Sequence, residues 1–278
     1  MTDKAITESD RIESRLYDQL TTIYMAVYAA ILARFKHVFD RIEAIDSGEV
    51  KPPHHARGDP DAFYAWRKRY IRHLFRQENM AAEIGEMLAA IGPVATMYIR
   101  KAMQDIYRQN WQYVADTLAS GATITSEQVE KASSEAEDEF TTIAYENLAN
   151  PMVPEKRANT ELVLVLLLGL SAAELKRRLH RISERSLYQA VRISATQRTT
   201  VQSVARMAAG QQYGHNLGYR WRTVGDNNVR HTHKAMDGQI RYGNEPFDSP
   251  SGARLRFPGD PTAPPGERIN CRCWLETY

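Results

Sequence analysis

The sequence predicts a mainly α protein, long-helical and bundle-like, ending in a small C-terminal α+β, loop-rich module. Three observations predict this. Apolar residues recur at helical spacing through the first three quarters of the chain. Aromatic and β-branched residues alternate only near the end, as strands require. Glycine and proline concentrate there too, about half of their total falling in the last quarter. An apolar share of 43% and a charged share of 25% belong to a globular chain, not a disordered one. A formal net charge of +2 does not demand a nucleic-acid partner.

Residues 8 to about 45 carry Ile12, Leu16, Leu20, Ile23, Val27, Ile31, Phe35, Val38 and Ile42 in steps of three and four. These keep one stripe of a long helix apolar. Such a helix is either a bundle member or a coiled-coil arm. KPPHHARGDPD, residues 51 to 61, is a turn-rich break in which His54 and His55 read as solvated. Asp59-Pro60 then forms an N-cap with proline in the first turn. The helix it opens bears Trp66, Tyr70 and Phe75 among Arg67, Lys68, Arg69, Arg72 and Arg76. These bases are a solvated face or a surface for phosphates. Further helices are expected up to Ile91, from Val94 to Ser120 and from Ser126 to Leu148, before a break at Asn150-Pro151.

The run from Leu162 to Leu170 is far short of the ~20 residues of a membrane span and reads as the start of a buried helix. Ser171-Ala172-Ala173-Glu174 has the form of a capping box, opening a helix to about Val191. Another is expected from Ala195 to Ala209, ending at Gly210. The chain is thus divided into a helical body (1–150), a helical connecting region (151–212) and the C-terminal module (213–278). Strands are expected at Tyr219–Val224, Ile240–Tyr242, Leu255–Phe257 and Arg272–Leu275, separated by Asp237-Gly238 and proline-glycine turns. A core of roughly sixty residues usually needs a staple or a surface to dock on.

The polar, acidic start MTDKAITESD is unlike a signal peptide, so the chain is expected in the cytoplasm when made. Cys271 and Cys273 are too close in sequence for an unstrained disulfide. With His231 and His233 they supply two imidazoles and two thiols, a set that tetrahedral Zn²⁺ accepts. The alternative is a packed strand end, with Arg230 paired to Asp226 or Asp237. Asp226, His231, His233 and Asn270 also invite a metal-dependent nuclease reading. Against it, the histidines run into a D-G turn and not into a helix. No Ser/His/Asp spacing, phosphate loop or H-E-x-x-H occurs.

The ordered set Trp221, Asp226, Arg230, His233, Asp237-Gly238, Pro258-Gly259-Asp260-Pro261 and Asn270-Cys271-Arg272-Cys273 resembles the head morphogenesis (minor head) family of tailed bacteriophages, with its Mu F-like C-terminal domain. The approach through Ala195-Thr196-Gln197-Arg198-Thr199 resembles it as well, and the likeness covers roughly residues 160 to 278. The zinc-like members of that family carry Cys-x-x-Cys where this chain has Arg230 and His233, and a His where it has Arg268. The resemblance implies a non-enzymatic, low-copy virion component of the capsid interior, made in the host cytoplasm. Its implied partners are the portal protein and capsid or scaffold proteins, with non-specific contact to packaged DNA and a role in packaging or release. A nuclease or toxin-like effector and a DNA-binding factor are the alternatives.

Overall fold

The computed structural model describes residues 3–119, 121–214 and 217–277. Its elements run α1 (Lys4–Arg34), α2 (Lys36–Asp46), a 3-10 turn (His54–Ala56), α3 (Pro60–Gln77), α4 (Met80–Ala89), α5 (Gly92–Leu118), α6 (Ser126–Glu135), α7 (Glu139–Ala149), α8 (Met152–Leu168) and α9 (Ala172–Tyr213). Then follow β1 (Gly218–Arg222), α10 (His231–Met236), β2 (Ile240–Tyr242), β3 (Phe247–Asp248), β4 (Arg254–Leu255), α11 (Pro265–Arg268) and β5 (Trp274–Thr277). The fold class is the one predicted: long helices, then a small region of short antiparallel strands and helices.

The chain forms two compact units that do not follow chain order. One gathers Met1–Gln19, Thr96–Ala144 and Ala190–Tyr278, the other Leu20–Ala95 and Tyr145–Gln189.

In the second unit α3 begins as predicted: the Asp59 carboxylate accepts from the backbone of Asp61 and Ala62, and Pro60 occupies the first turn. The long first helix differs from expectation by one break at Phe35, whose backbone leaves helical geometry while its ring is wholly buried. Ile31, Phe35, Val38 and Ile42 are all buried, so in this unit the stripe packs inside the fold as a bundle helix does. Helices α4 and α8 pack closely because Gly85 has no side chain. A Cβ there would lie 2.8 Å from the Glu155 Cβ and the Pro151 carbonyl. The basic residue Arg67 proves internal: it donates to both Asp46 oxygens, at 2.6 and 2.8 Å, and to the Leu170 carbonyl. The bases after Ser171 are mostly neutralised as well. Arg177, Arg178 and Arg181 all reach Glu174, and Arg178 also meets Glu161 at 2.6 Å. Glu174 thus serves arginines, while Ser171 alone caps, accepting from the Glu174 N–H.

The run from Leu162 is the end of a helix, not the start of a buried one: α8 closes on Gly169, in the left-handed region at φ 63. Leu162, Val165 and Leu166 are buried there, but Val163, Leu167 and Leu168 stand exposed. The stretch Met80–Leu118 has the length and apolar composition of a membrane span, yet it is two helices, and 44% of its most apolar window is buried within the fold.

Two expected helices merge. No breaker separates Val191 from Ala195, and α9 runs unbroken for 42 residues, about 63 Å at 1.5 Å per residue. Conversely, the helix expected from Ser126 to Leu148 is broken between α6 and α7. Asp138 sits at the break and accepts from the Thr141 N–H and hydroxyl. In the first unit Ile12 and Leu16 are buried, as are Ile99, Ile106 and Val114 on α5. Beyond α9, β1 is the centre of an antiparallel sheet of order β2-β1-β5, with Tyr219 opposite Arg241 and Trp221 opposite Leu275. A second small hairpin pairs β3 with β4, Phe247 opposite Leu255.

Candidate functional site

The C-terminal module is organised around Trp221. Strand β1 turns this indole into a core with Met236, Phe247, Leu255, Cys271, Cys273 and Leu275. Phe247 and His233 both meet it edge to face, with ring centroids 5.3 Å away. Short helix α10 delivers His233 to this core, so the histidines lie in a helix and not in the D-G turn itself. Because residues two apart on a helix point to different sides, His231 is left exposed. The turn follows at once: Gly238 takes φ 85 and donates to the Trp221 carbonyl, while the Asp237 carboxylate accepts from the Thr223 N–H.

Asn270 adopts the left-handed region at φ 57 and donates its N–H to the Thr196 hydroxyl. The extended chain that follows alternates its side chains. Cys271 and Cys273 therefore enter the core, while Arg272 points outward and clasps Asp226 at 2.7 and 2.8 Å. That pair, with the Asn228 N–H, holds the Asp226 carboxyl below the usual range. Arg230 does not form the expected ion pair with Asp226 or Asp237. Its guanidinium donates to the Ile269 carbonyl, because Arg272 already occupies Asp226.

The buried chemistry converges on His233. Its Nδ1 lies 3.6 Å from Cys271 Sγ and 3.4 Å from Cys273 Sγ, and its Nε2 lies 2.8 Å from Glu267 Oε2. Glu267 also accepts from Thr232 Oγ1 and Ser249 Oγ. Burial opposes ionisation of Glu267, but hydrogen bonding with Ser251 and Thr232 and the nearby His233 prevail and keep its carboxyl below the ordinary value. Of the two thiols, Cys271 ionises first: hydrogen bonding with Cys273 lowers it, outweighing burial, and His233 adds to this. Cys273 is pushed up by its neighbour Cys271 and by burial.

Whether this set could hold zinc turns on its fourth vertex. The nitrogen–sulfur distances suit S–H···N bonds. They also suit the edge of a tetrahedral zinc site, about 3.5 Å for normal Zn–N and Zn–S lengths. Three donors, His233, Cys271 and Cys273, lie within 4.8 Å of one another, and no other His, Cys, Asp or Glu joins them among the described residues. His231, the expected fourth ligand, is not among them. Hydrolytic chemistry is ill served as well, since His233 is 1% exposed and has no open face from which to activate water.

Several residues that hold the module were not legible in the sequence. Helix α9 offers it a polar seam at helical spacing: Thr199 donates to the Cys271 carbonyl, Thr200 to Gly259 at 2.6 Å and Ser203 to Pro258 at 2.9 Å. Gly259 fits only without a side chain. It has φ 76, and a Cβ would lie 2.7 Å from the Thr200 nitrogen. The turn is pinned by Asp260, whose fully buried carboxylate accepts from Arg256 and Thr262 and is held below its usual range despite burial. Arg268, which replaces the histidine of the zinc-like pattern, makes a two-pronged bond to Asp138, with Nη2 2.8 Å from Oδ1. An arginine fork on a carboxylate does hold the module, though it is made by Arg268 and not by Arg230. Arg206, at 0% side-chain exposure, binds Asp3, Asn110 and the Leu275 carbonyl together.

The family model described as Phage Mu protein F like protein matches residues 157–276, from within α8 to β5. No curated protein and no solved structure matches the chain.

Proposed function

We infer, from a phage head-related chain whose residues 157–276 carry a Mu F-like domain, that the protein is a minor head component of the virion. It is a low-copy constituent of the capsid interior, associated with the portal, and acts in head morphogenesis and in DNA packaging or release. Portal protein and capsid or scaffold proteins are its partners. Contact with packaged DNA is non-specific. The observation that carries the reading is the Mu F-like match, lying over a module whose chemistry-bearing residues are spent on internal bonds. His233 is sealed between thiols and Glu267, and Asp226 is clasped by Arg272. These are the groups a nuclease would need free.

Peptide mass spectrometry of purified procapsids and mature particles tests it, with copy number set against the major capsid protein. A few copies per particle are expected. A chain absent from both particles and free in the lysate would remove the virion role.

The Cys–His cluster we read as a metal-free polar core, because it offers three ligands where structural zinc takes four. Elemental analysis of the purified full chain is expected to give well under one zinc per chain. His233→Ala is expected to cost about 2–3 kcal/mol, through a cavity and the loss of the His233–Glu267 contact. Equimolar zinc whose removal by a chelator unfolds the module would replace this reading.

A further inference from the structure

A formal net charge of +2 is too small to hold a polyanion, so any such binding must come from charge gathered in one place. Helix α3 gathers it. Arg69, Arg72 and Arg76 recur at three and four residues, share one face of the helix and are all exposed. Their side chains meet no carboxylate or other hydrogen-bond partner among the described residues. In the same unit Arg34, Arg67, Arg177, Arg178 and Arg181 each bind a carboxylate. Lys68 and Arg72, and Arg72 and Arg76, lie four residues apart, so like charges stand side by side and repel. Glu155 lines a groove beside Arg72 and Arg76 but forms an ion pair with neither. Tyr70, next to Arg69, carries one more base. Arg41 of α2 donates its Nε to the Tyr70 hydroxyl at 2.8 Å, and its guanidinium lies 5.5 Å from the ring centre.

This face offers charge and little else. Phe75, Met80, Leu162 and Leu166, the large apolar side chains beside Arg72 and Arg76, are buried, and of that wall Val163 is the exposed one. A protein partner brings an apolar interface core, which would find almost nothing here to meet it. A phosphate backbone needs none. The spacing fits as well. Arg69 to Arg76 rises about 10 Å along α3, a length over which one strand of a duplex presents about three phosphates.

We propose that the exposed face of α3 is the surface on which this chain holds DNA, with Arg69, Arg72 and Arg76 meeting successive phosphates of one strand and no base being read. The proposal rests on the reading of packaged DNA as a contact and says where that contact lies. Arginine suits the task because its fork can take two oxygens of one phosphate.

The test titrates short fluorescent duplexes of two unrelated sequences with the purified full chain, over a range of salt concentrations. Equal affinity for both sequences is expected, weakening as salt rises. R69Q/R72Q/R76Q should lower affinity about tenfold or more at low salt and reduce the slope of log K against log salt by about 2–3, the share of three phosphates. R69K/R72K/R76K should restore most of the slope. R177Q/R181Q, which removes arginines already neutralised by Glu174, should leave it unchanged. The glutamine variant should unfold at no lower temperature than the parent, because the positions are exposed and the repulsion is relieved. An unchanged slope in R69Q/R72Q/R76Q, an equal loss per charge in R177Q/R181Q, or a preference between the two sequences would overturn the proposal. Polyglutamate that binds more tightly than the duplex would hand the face to an acidic protein instead. A chain with no affinity for DNA would lose this surface and the DNA contact together. Particle mass spectrometry is independent of all these outcomes, so a chain present in particles but inert toward DNA keeps the virion reading.

Discussion

Arg206→Met is expected to lower the stability of the full chain by about 3–5 kcal/mol, the usual loss when one partner of a buried ion pair is removed. The size follows from what the guanidinium joins. Its Nε donates to Asn110 at 2.8 Å, its Nη1 to Asp3 and the Leu275 carbonyl, and its Nη2 to the second Asp3 oxygen at 2.9 Å. Methionine fills much of the space but strips the Asn110 amide oxygen and the Leu275 carbonyl of this donor and leaves Asp3, still held by the Ala5 and Ile6 N–H groups, without its counter-charge. Arg206→Lys should rescue little, because one ammonium cannot span three acceptors in fixed directions. Adding Asp3→Asn to Arg206→Met should recover part of the loss by removing the stranded charge. Urea unfolding followed by intrinsic fluorescence measures all three. An Arg206→Met chain within about 0.5 kcal/mol of the parent, the range of an ordinary surface change, would show that the network carries no net stability.

Arg268→Leu should show its effect in acid as well as at neutrality. Burial works against ionisation of Asp138, but hydrogen bonds from Arg268 and Thr141 outweigh it, and the carboxyl lies below its ordinary value. A carboxyl depressed in the folded state contributes stability above its unfolded pKa, about 3.9, and loses it as pH falls through the lower folded value. The parent should therefore hold its stability from neutrality to about pH 5 and lose it progressively below about pH 4. Asp260 and Glu267, also depressed, titrate in the same acid window. At neutral pH, Arg268→Leu should cost about 2–4 kcal/mol, discounted from the fully buried case because the Asp138 side chain is 21% exposed. Its stability should also fall less steeply in acid, since one depressed carboxyl has left the sum. Equal acid slopes for parent and variant, read from unfolding free energies between pH 3 and 7, would show that Arg268 does not set the Asp138 titration.

Local rules reach only part of this architecture. The Asp59-Pro60 start, the buried stripe of the first helix and the strand through Trp221 follow from short-range chemistry and could be read directly. The break at Phe35 could not, because no proline or glycine marks it and the ring's burial alone accounts for its tolerance. Nor could the unbroken course of α9, where serine and threonine read as ambiguous. Strand β3 is two residues long, too short for an alternation to register, whereas β4 lies at the start of the strand expected at Leu255–Phe257 and is shorter, Arg254–Leu255. Within the module, Cys271, Cys273 and His233 stood out by residue type. Glu267 and Arg206 did not, since each acquires its role from partners made elsewhere in the chain. The one available signal was the spacing of Thr196, Thr199, Thr200, Ser203 and Arg206, a polar stripe on a helix face that proves to be buried. The mispairing of Arg230 has the same origin: nearness in sequence favoured Asp226, but Arg272 had claimed it.

The discontinuous make-up of the first unit has a consequence for the order of synthesis. Asp3 and Arg206 are 203 positions apart, and Asp10 and Arg198 are 188. At about 5–20 residues per second, translation separates Asp3 from Arg206 by roughly 10–40 s. Both segments of the second unit are made in that interval, while Asp3, Asp10 and Glu13 wait hydrated, at no desolvation cost. The Leu275 carbonyl, the last acceptor on Arg206, is made only after the rest of the module. A ribosome that stops within the module thus releases a chain with a buried guanidinium unsatisfied and the face of α9 uncovered. Closure of the module is thereby read out as stability, so proteolysis discriminates against chains released before β5 is made.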